Sequence, residues 1–317
     1  MASSITPLQT EQRAIGAYLG LAIGDALGAT VEFMTAREIA HEYGVHDSIC
    51  GGGWLKLRAG DVTDDTTMSL ALGESILQQG SVNAGMVAEA FSQWMVRKPV
   101  DIGATVKRGI THFRYSGVPA VSESEWDAGN GACMRTLPVA LATLDCDDGV
   151  VIQASRAQAH VTHNNALSDA ATECVIKMIQ LALRGGDKAQ LLDCARQQLV
   201  GAYPVFEYRG GRLETPGAYI VETLQAVLQA LEETDSFETC LLNIVNRGGD
   251  ADTTGAIAGM LAGSLYGVQA IPARWLDALN EAIRSECEQQ AVALLQLGPD
   301  SKPYDCATAQ TREAVNA

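Results

Sequence analysis

The sequence has few basic residues, and they form no run. The 317-residue chain contains 22 Lys and Arg against 38 Asp and Glu, which gives a formal net charge of −16. A surface that reads nucleic-acid phosphates needs clustered Lys and Arg side chains. We therefore expect no nucleic-acid partner.

Two further patterns are missing. The N-terminus (MASSITPLQTEQR) lacks the basic and then apolar pattern of a signal peptide, and the eight cysteines are irregularly spaced without a CxxC pair. A chain of this length can build a sizeable core and does not need disulfides to support it. The sequence therefore predicts reduced thiols and a cytoplasmic protein.

Long apolar runs are also scarce. The best candidate for a membrane span is the segment 251–271, in which only Asp252 is charged, and about 20 apolar residues suffice to cross a bilayer. Gly and Ala rather than Leu and Phe dominate this segment, and the carboxylate pair Asp250 and Asp252 stands at its start. We predict a buried core helix here and no transmembrane segment.

Alternating strand patterns are rare, whereas helical periodicity runs through the chain, so we predict an all-α fold. Residues 1–297 are predicted to form a single domain, and residues 298–317 a loosely ordered tail. Long polar or glycine-rich loops are predicted at 44–60, 116–131 and 203–216. The predicted helices are 11–28, 66–79, 84–96, 103–113, 132–142, 152–161, 166–183, 191–199, 217–232, 237–246, 253–266 and 272–295.

Two of these helices carry a glycine at every fourth position. The stripes are Gly16, Gly20, Gly24 and Gly28 in the first, and Gly255, Gly259, Gly263 and Gly267 in the late one. Glycine costs about 1 kcal/mol relative to Ala in a helix interior, and residues four apart share a face. We predict that both stripes meet at one central junction with closely approaching backbones; the alternative is small-residue packing against unrelated helices.

Two stretches crowd oxygen side chains at the start of an apolar helix, namely TDDTT (63–67) and GGDADTT (248–254). In extended backbone Asp250 and Asp252, two residues apart, lie on the same side. Carboxylates and hydroxyls with no nearby Cys or His suit Mg²⁺ or Mn²⁺ better than zinc. We predict that the two stretches share divalent cations; the alternative is that each acid only caps its helix.

Five short segments carry a family resemblance: GLAIGDALGATVEF (20–33), TDDT (63–66), DIGATV (101–106), GNGACMR (129–135) and GGDADTTGAIAG (248–259). Together and in this order they resemble the ADP-ribosylglycohydrolases, most closely the bacterial dinitrogenase reductase-activating glycohydrolases. The resemblance implies one compact multi-helix domain with a dinuclear Mn²⁺ or Mg²⁺ centre in a central cleft. The implied metal ligands are Thr63, Asp64, Asp65, Asp250, Asp252 and Thr253.

The resemblance also implies two catalytic carboxylates. Asp101 matches the family's carboxylate near the ribose, and Glu32 matches an acid on a mobile loop beside the metals. From the sequence alone, Asp101 also fits a helix N-cap after Pro99, and Glu32 a solvated loop acid.

Four residues are expected to contact the substrate. Asn130 and Gly131 lie in a glycine-rich turn before a predicted helix, where free backbone N–H groups suit a pyrophosphate; a plain turn is the alternative. His163, three residues after His160 and so on the same face of a helix, is either a substrate contact or structural. Tyr208 is expected to stack on the adenine ring, and the alternative is a half-buried loop tyrosine.

The implied reaction is hydrolysis of the N-glycosidic bond between ADP-ribose and an arginine guanidinium. The expected partner is an ADP-ribosylated protein, dinitrogenase reductase above all, and a regulatory protein is a further expected partner. The alternatives are release of ADP-ribose from other arginine or serine targets or from ADP-ribose derivatives, and a non-enzymatic ADP-ribose-binding regulator. A two-metal phosphoesterase would need Lys or Arg near the phosphates, and the clusters contain none.

Overall fold

The computed structural model describes residues 5–297, and these form α-helices joined by loops, with isolated β-bridges and no strand. The predicted all-α fold is confirmed. The predicted tail at 298–317 lies outside the described residues. The helices are α1 (Pro7–Gly28), α2 (Ala36–Tyr43), α3 (Asp64–Gln79), α4 (Ala84–Val96), α5 (Ala104–Ser116), α6 (Gly131–Met134), α7 (Leu137–Ala142), α8 (Asp148–Ala159), α9 (Ala166–Leu183), α10 (Lys188–Cys194), α11 (Ile220–Glu233), α12 (Phe237–Val245), α13 (Ala251–Tyr266), α14 (Ala273–Ala278) and α15 (Glu281–Leu295).

The helix predictions differ from the structure in several places. The predicted helix 191–199 is α-helical only as far as Cys194 and continues as a π-helix, Ala195–Val200. The predicted helix 132–142 is two short helices, α6 and α7, with a proline in the first turn of α7. The predicted helix 272–295 is also two, because Asn280 accepts hydrogen bonds from the first N–H groups of α15 and so begins a new helix. Helix α2 was not predicted, although Thr35 and Glu38 form a capping box at its start.

The two glycine stripes meet face to face, as predicted. Helices α1 and α13 run antiparallel in the core, so that a Cβ built on Gly20 would lie 2.2 Å from the carbonyl oxygen of Gly259, and one on Gly24 would lie 2.0 Å from that of Gly255. Since real Cβ atoms do not approach oxygen so closely, these backbones can pack only through glycine. The end of α1 is thereby fixed against the beginning of α13, where Gly28 lies on Ala251.

Helix α13 is a core helix, as predicted from its Gly and Ala content. Its 16 residues are buried except the last, Tyr266. Among the described residues no helix combines the length and apolar character that crossing a membrane requires.

Candidate metal centre

Three segments of the chain converge beside the contact between the glycine stripes of α1 and α13, which we call the glycine junction. They are the loop after α1, the start of α3 and the start of α13. Asp25 of α1 joins the first two. Its carboxylate is fully buried and accepts hydrogen bonds from the N–H of Thr63 at 3.0 Å, the N–H of Thr66 at 3.1 Å and the Thr66 hydroxyl at 2.5 Å. Asp25 therefore caps α3 from another helix and sets where its acidic first turn lies.

The first turn of α3 contributes Thr63, Asp64 and Asp65, all at most 5% exposed. Oδ2 of Asp65 accepts a hydrogen bond from the Thr63 hydroxyl at 3.3 Å and from the Thr253 hydroxyl at 3.2 Å. The latter bond spans 188 residues of sequence, so the two acidic stretches meet in the fold. Oδ1 of Asp65 is buried and has no hydrogen-bond partner.

The start of α13 contributes Asp250, Asp252 and Thr253. Asp250, Asp252 and Glu32 each place one carboxylate oxygen within 4.8 Å of the others. Before Asp250 the chain turns through Gly248 and Gly249, both in the left-handed region with φ of 73° and 69°, which glycine adopts without penalty. This turn directs the acids at the loop that carries Glu32.

The carboxylates of this centre are poorly solvated and repel one another. Burial, together with the charges of Asp101 and Asp25, raises the pKa of Asp64 to about 7. Burial also raises the pKa of Asp65 and Asp252 well above the ordinary value; the charges of Asp25 and Asp64 add to the shift of Asp65, and the charge of Asp65 adds to that of Asp252. Asp250 is shifted in the same direction, chiefly by burial.

In the described part of the chain these acids are not paired with a protein cation. Among residues 5–297 no ion pair involves a carboxylate of the centre. The buried guanidinium of Arg135 bonds Gln158 and Thr162 instead. An all-oxygen set with surplus negative charge and an unpartnered buried oxygen on Asp65 fits hard divalent cations such as Mg²⁺ or Mn²⁺.

Asp101 lies in the loop before α5, close enough for its charge to raise the pKa of Asp64, Glu32 and Asp250. It does not cap α5: the N-cap is Gly103, which has no side chain to bond the helix. The alternative role for Asp101, that of a helix N-cap, is therefore excluded.

Glu32 is not a solvated loop acid. Its side chain is 6% exposed and accepts a hydrogen bond at 2.5 Å from the indole N–H of Trp54. Burial raises the pKa of Glu32 to about 8, against the opposing effect of the Trp54 bond.

The glycine-rich turn at 129–131 lies beside the acids and rests on His163. Asn130 donates its amide N–H to Oδ2 of Asp250 at 2.6 Å and to the Thr223 hydroxyl at 3.0 Å, so that side chain orients an acid. A Cβ on Gly131 would lie 2.8 Å from the His163 ring. The helix that follows this turn, α6, has only four residues, so a helix dipole adds little to anion binding here.

His163 and His160 do not share a helix face, because α8 ends at Ala159. The His163 ring is 2% exposed, and burial together with Arg135 and Arg108 lowers its pKa to about 3. It is a neutral support for the glycine-rich turn in this structure. His160 instead bonds Asp169 at 2.9 Å.

Tyr208 is not brought to the centre. Its ring is 1% exposed and packs against Arg209, and its carbonyl accepts from Gln229 near the far end of α11. The aromatic residue beside the glycine-rich turn is Tyr219, which is 42% exposed and forms a β-bridge with Gly129. A buried ring has no free face on which a base could stack, so the structure does not support the expected stacking of Tyr208 on adenine.

Sequence reasoning missed Asp25, Trp54 and Tyr219. Asp25 lies inside the segment GLAIGDALGATVEF, and a single acid within an apolar helix was its only signal. The roles of Trp54 and Tyr219 depend on contacts between loops distant in sequence, which spacing does not reveal.

Comparison with known proteins gives a consistent result. The model of the ADP-ribosylglycohydrolase family matches residues 6–303. The ADP-ribosyl-[dinitrogen reductase] glycohydrolase of Rhodospirillum rubrum is 47% identical over 298 residues, which cover 92% of this chain and 99% of that protein. The ADP-ribosylarginine hydrolase Tri1 of Pseudomonas putida is 34% identical over 295 residues, covering 87% of this chain and 76% of that protein.

The fold has a counterpart among solved structures. A chain described as an ADP-ribosylglycohydrolase-related protein complex superposes with a TM-score of 0.82 at 35% sequence identity. The match covers 92% of this chain and 99% of that chain.

Proposed function

Since the chain belongs to the ADP-ribosylglycohydrolase family, we propose that it hydrolyses the N-glycosidic bond between ADP-ribose and an arginine guanidinium of a protein. The convergence of the two acidic stretches through Asp65 and Thr253 carries this proposal. Dinitrogenase reductase is the proposed target, because the Rhodospirillum rubrum relative named for it aligns over nearly its whole length.

Two divalent cations, Mn²⁺ or Mg²⁺, are the proposed cofactors. The residues that would hold them are Thr63, Asp64, Asp65, Asp250, Asp252 and Thr253, with Glu32 beside them. When bound, such cations acidify water and orient hydroxyl groups of the sugar.

The chain's own residues supply the proton transfers. Water adds its oxygen to the anomeric carbon, the bond from that carbon to the guanidine nitrogen breaks, and an Asp101 carboxylate oxygen accepts the water's proton. The departing guanidine takes up that proton and leaves as guanidinium. Asn130 keeps Asp250 oriented through its 2.6 Å hydrogen bond, and Glu32 is the second proposed catalytic carboxylate.

The proposed substrate contacts follow the walls of the centre. Gly131 and its neighbours offer backbone beside the acids for the pyrophosphate, with His163 beneath them. Tyr219 replaces Tyr208 as the ring proposed to stack on adenine, since it is 42% exposed and lies beside the glycine-rich turn.

A second candidate is the same bond cleavage on a different ADP-ribosylated protein, which the similarity to Tri1 favours. A non-catalytic regulator is disfavoured, because a binding protein would keep several buried, unpaired carboxylates without using them. The seven described cysteines are all free thiols, which supports action in the cytoplasm.

The test is incubation with arginine-ADP-ribosylated dinitrogenase reductase and with a serine-ADP-ribosylated protein, with MnCl₂ or with EDTA, measuring free ADP-ribose by chromatography. We expect release from the arginine substrate only with the cation. Asp252→Ala should lower the rate by roughly 100-fold or more, since cation binding contributes several kcal/mol, while far-ultraviolet circular dichroism stays helical. Near-full activity of this variant would remove the metal centre from the mechanism.

A further inference from the structure

A pair of exposed aromatic rings lies at the acidic centre without a role in the bond cleavage. Trp54 and Phe33 are 51% and 64% exposed, and their ring centroids are 5.4 Å apart with 49° between the ring planes. The Trp54 indole bonds Glu32, whose carboxylate lies with those of Asp250 and Asp252. The rings therefore border the acidic centre, where the function proposed above places the scissile bond.

Both rings are held in position by the backbone rather than by burial. Phe33 has φ of 65°, which is uncommon for a residue with a bulky side chain. Its N–H donates to the carbonyl of Gly249 at 2.7 Å, and the N–H of Gly249 donates to the carbonyl of Met34 at 2.8 Å. Phe33 is thus joined to the turn that directs Asp250, and an unusual conformation kept on an exposed ring points to function.

Trp54 is fixed from the other side. Gly53, also in the left-handed region with φ of 65°, approaches the carbonyl oxygen of Ala29 so closely that a Cβ would lie 2.3 Å from it. The loop 51–57 therefore lies directly on the loop after α1, which carries Glu32. The indole is constrained at both its backbone and its N–H.

The local charge selects the group that these rings bind. The indole N–H donates to the Glu32 carboxylate, which lies outside the proposed set of cation ligands, and the net charge of the chain is −16. Tryptophan faces attract guanidinium groups, and a planar guanidinium can stack on a ring while it donates hydrogen bonds to a carboxylate.

Building on the function proposed above, we propose that Trp54 and Phe33 form a shelf that receives the guanidinium of the ADP-ribosylated arginine. Glu32 flanks the cation, and the rings cover its face. The shelf makes arginine the preferred acceptor, because a serine-linked ADP-ribose has no cation to place there.

The experiment compares two measurements in the full-length protein with Mn²⁺: kcat/KM for an arginine-ADP-ribosylated protein, and Kd for free ADP-ribose, which lacks the guanidinium. The variants are Trp54→Leu, Phe33→Leu and Trp54→Phe, the last of which keeps a ring and loses the indole N–H. Tyr115→Leu is the matched control, since Tyr115 is 90% exposed and lies at the opposite end of α5 from the Asp101 loop.

Trp54→Leu should lower kcat/KM by roughly 3- to 30-fold, the range expected for a cation–π contact, while the Kd of ADP-ribose changes less than about twofold. Trp54→Phe should retain most of the wild-type kcat/KM, and Tyr115→Leu should match the wild type. An unchanged kcat/KM in Trp54→Leu, or a parallel loss of ADP-ribose binding, would overturn the shelf. Wild-type protein that binds ADP-ribose but releases none from arginine would instead overturn the proposed function, and the shelf with it.

Discussion

Replacing one buried carboxylate of the centre should stabilise the protein without cations and destabilise it with them. Asp64 is 5% exposed, and burial with the charges of Asp101 and Asp25 raises its pKa from 3.8 to about 7. Each tenfold change in an ionisation constant corresponds to about 1.4 kcal/mol. Keeping Asp64 ionised at pH 8 in the metal-free native state therefore costs about 4 kcal/mol, and Asp64→Asn removes that cost.

The effect has a defined sign with pH. Because the pKa of Asp64 is higher in the folded state, the native protein binds more protons than the unfolded chain between about pH 4 and pH 7. The contribution of Asp64 to the stability of metal-free wild type is therefore lost as the pH rises through this window. Asparagine does not titrate, so the advantage of Asp64→Asn should grow from below about 1 kcal/mol at pH 4 to about 4 kcal/mol at pH 8.

The assay is thermal denaturation followed by circular dichroism in EDTA and in MnCl₂. An unfolding entropy of about 2.1 cal/mol/K per residue converts about 4 kcal/mol into a Tm increase of about 6 °C for a domain of this length. In MnCl₂ the order should reverse, since a bound cation stabilises the native state by mass action and the variant lacks one ligand.

Asp61→Asn, which removes a partly exposed acid three residues away, is the control for net charge. Two results would refute the reasoning: a metal-free Asp64→Asn protein that melts below wild type at pH 8, or a difference in Tm that does not vary with pH.

Two other predictions concern the scaffold and the chemistry. Gly24→Ala should destabilise the native state by about 1–3 kcal/mol or more, because the added Cβ would lie 2.0 Å from the Gly255 oxygen. Gly149→Ala is the control: it has open space around it, so it should leave stability unchanged or raise it by up to about 1 kcal/mol. Equal Tm values for the two variants would contradict close packing of α1 on α13. Asp101→Asn should lower kcat by roughly 10²–10⁴-fold with little change in the Kd of ADP-ribose measured by calorimetry, and an unchanged kcat would exclude Asp101 as the proton acceptor.

The sequence was most informative where a residue pattern carries a free-energy cost in the folded protein. A glycine at every fourth position predicted the α1–α13 junction, because little except close backbone approach offsets the lost helix propensity. Repeated acids at two helix starts predicted a shared centre for a similar reason: buried like charges persist only with a compensating partner. Both predictions depend on physical cost, which is readable from residue types and spacing.

Contacts between distant loops were not readable in this way. Asp25 caps a helix that begins 39 residues later in the chain, and periodicity carries no information on that pairing. Tyr208 does not reach the centre, because its loop folds against α11, where Gln229 donates a hydrogen bond to its carbonyl. From the sequence alone this segment resembles an exposed loop. The aromatic that does lie beside the glycine-rich turn, Tyr219, was included in a predicted helix.

The geometry of the metal centre depends on the glycine junction. A slip of α13 along α1 by one glycine repeat would keep the stripes in register but move the helix by about 6 Å, at 1.5 Å per residue. That displacement exceeds the 4.8 Å within which the oxygens of Glu32, Asp250 and Asp252 lie, so the slipped packing would separate Glu32 from the acids of α13. The cap that Asp25 places on α3 ties the third acidic segment to the same helix. The register of two smooth helices therefore decides whether the carboxylates can share a cation, and the polar anchors at their ends distinguish the correct register from the others.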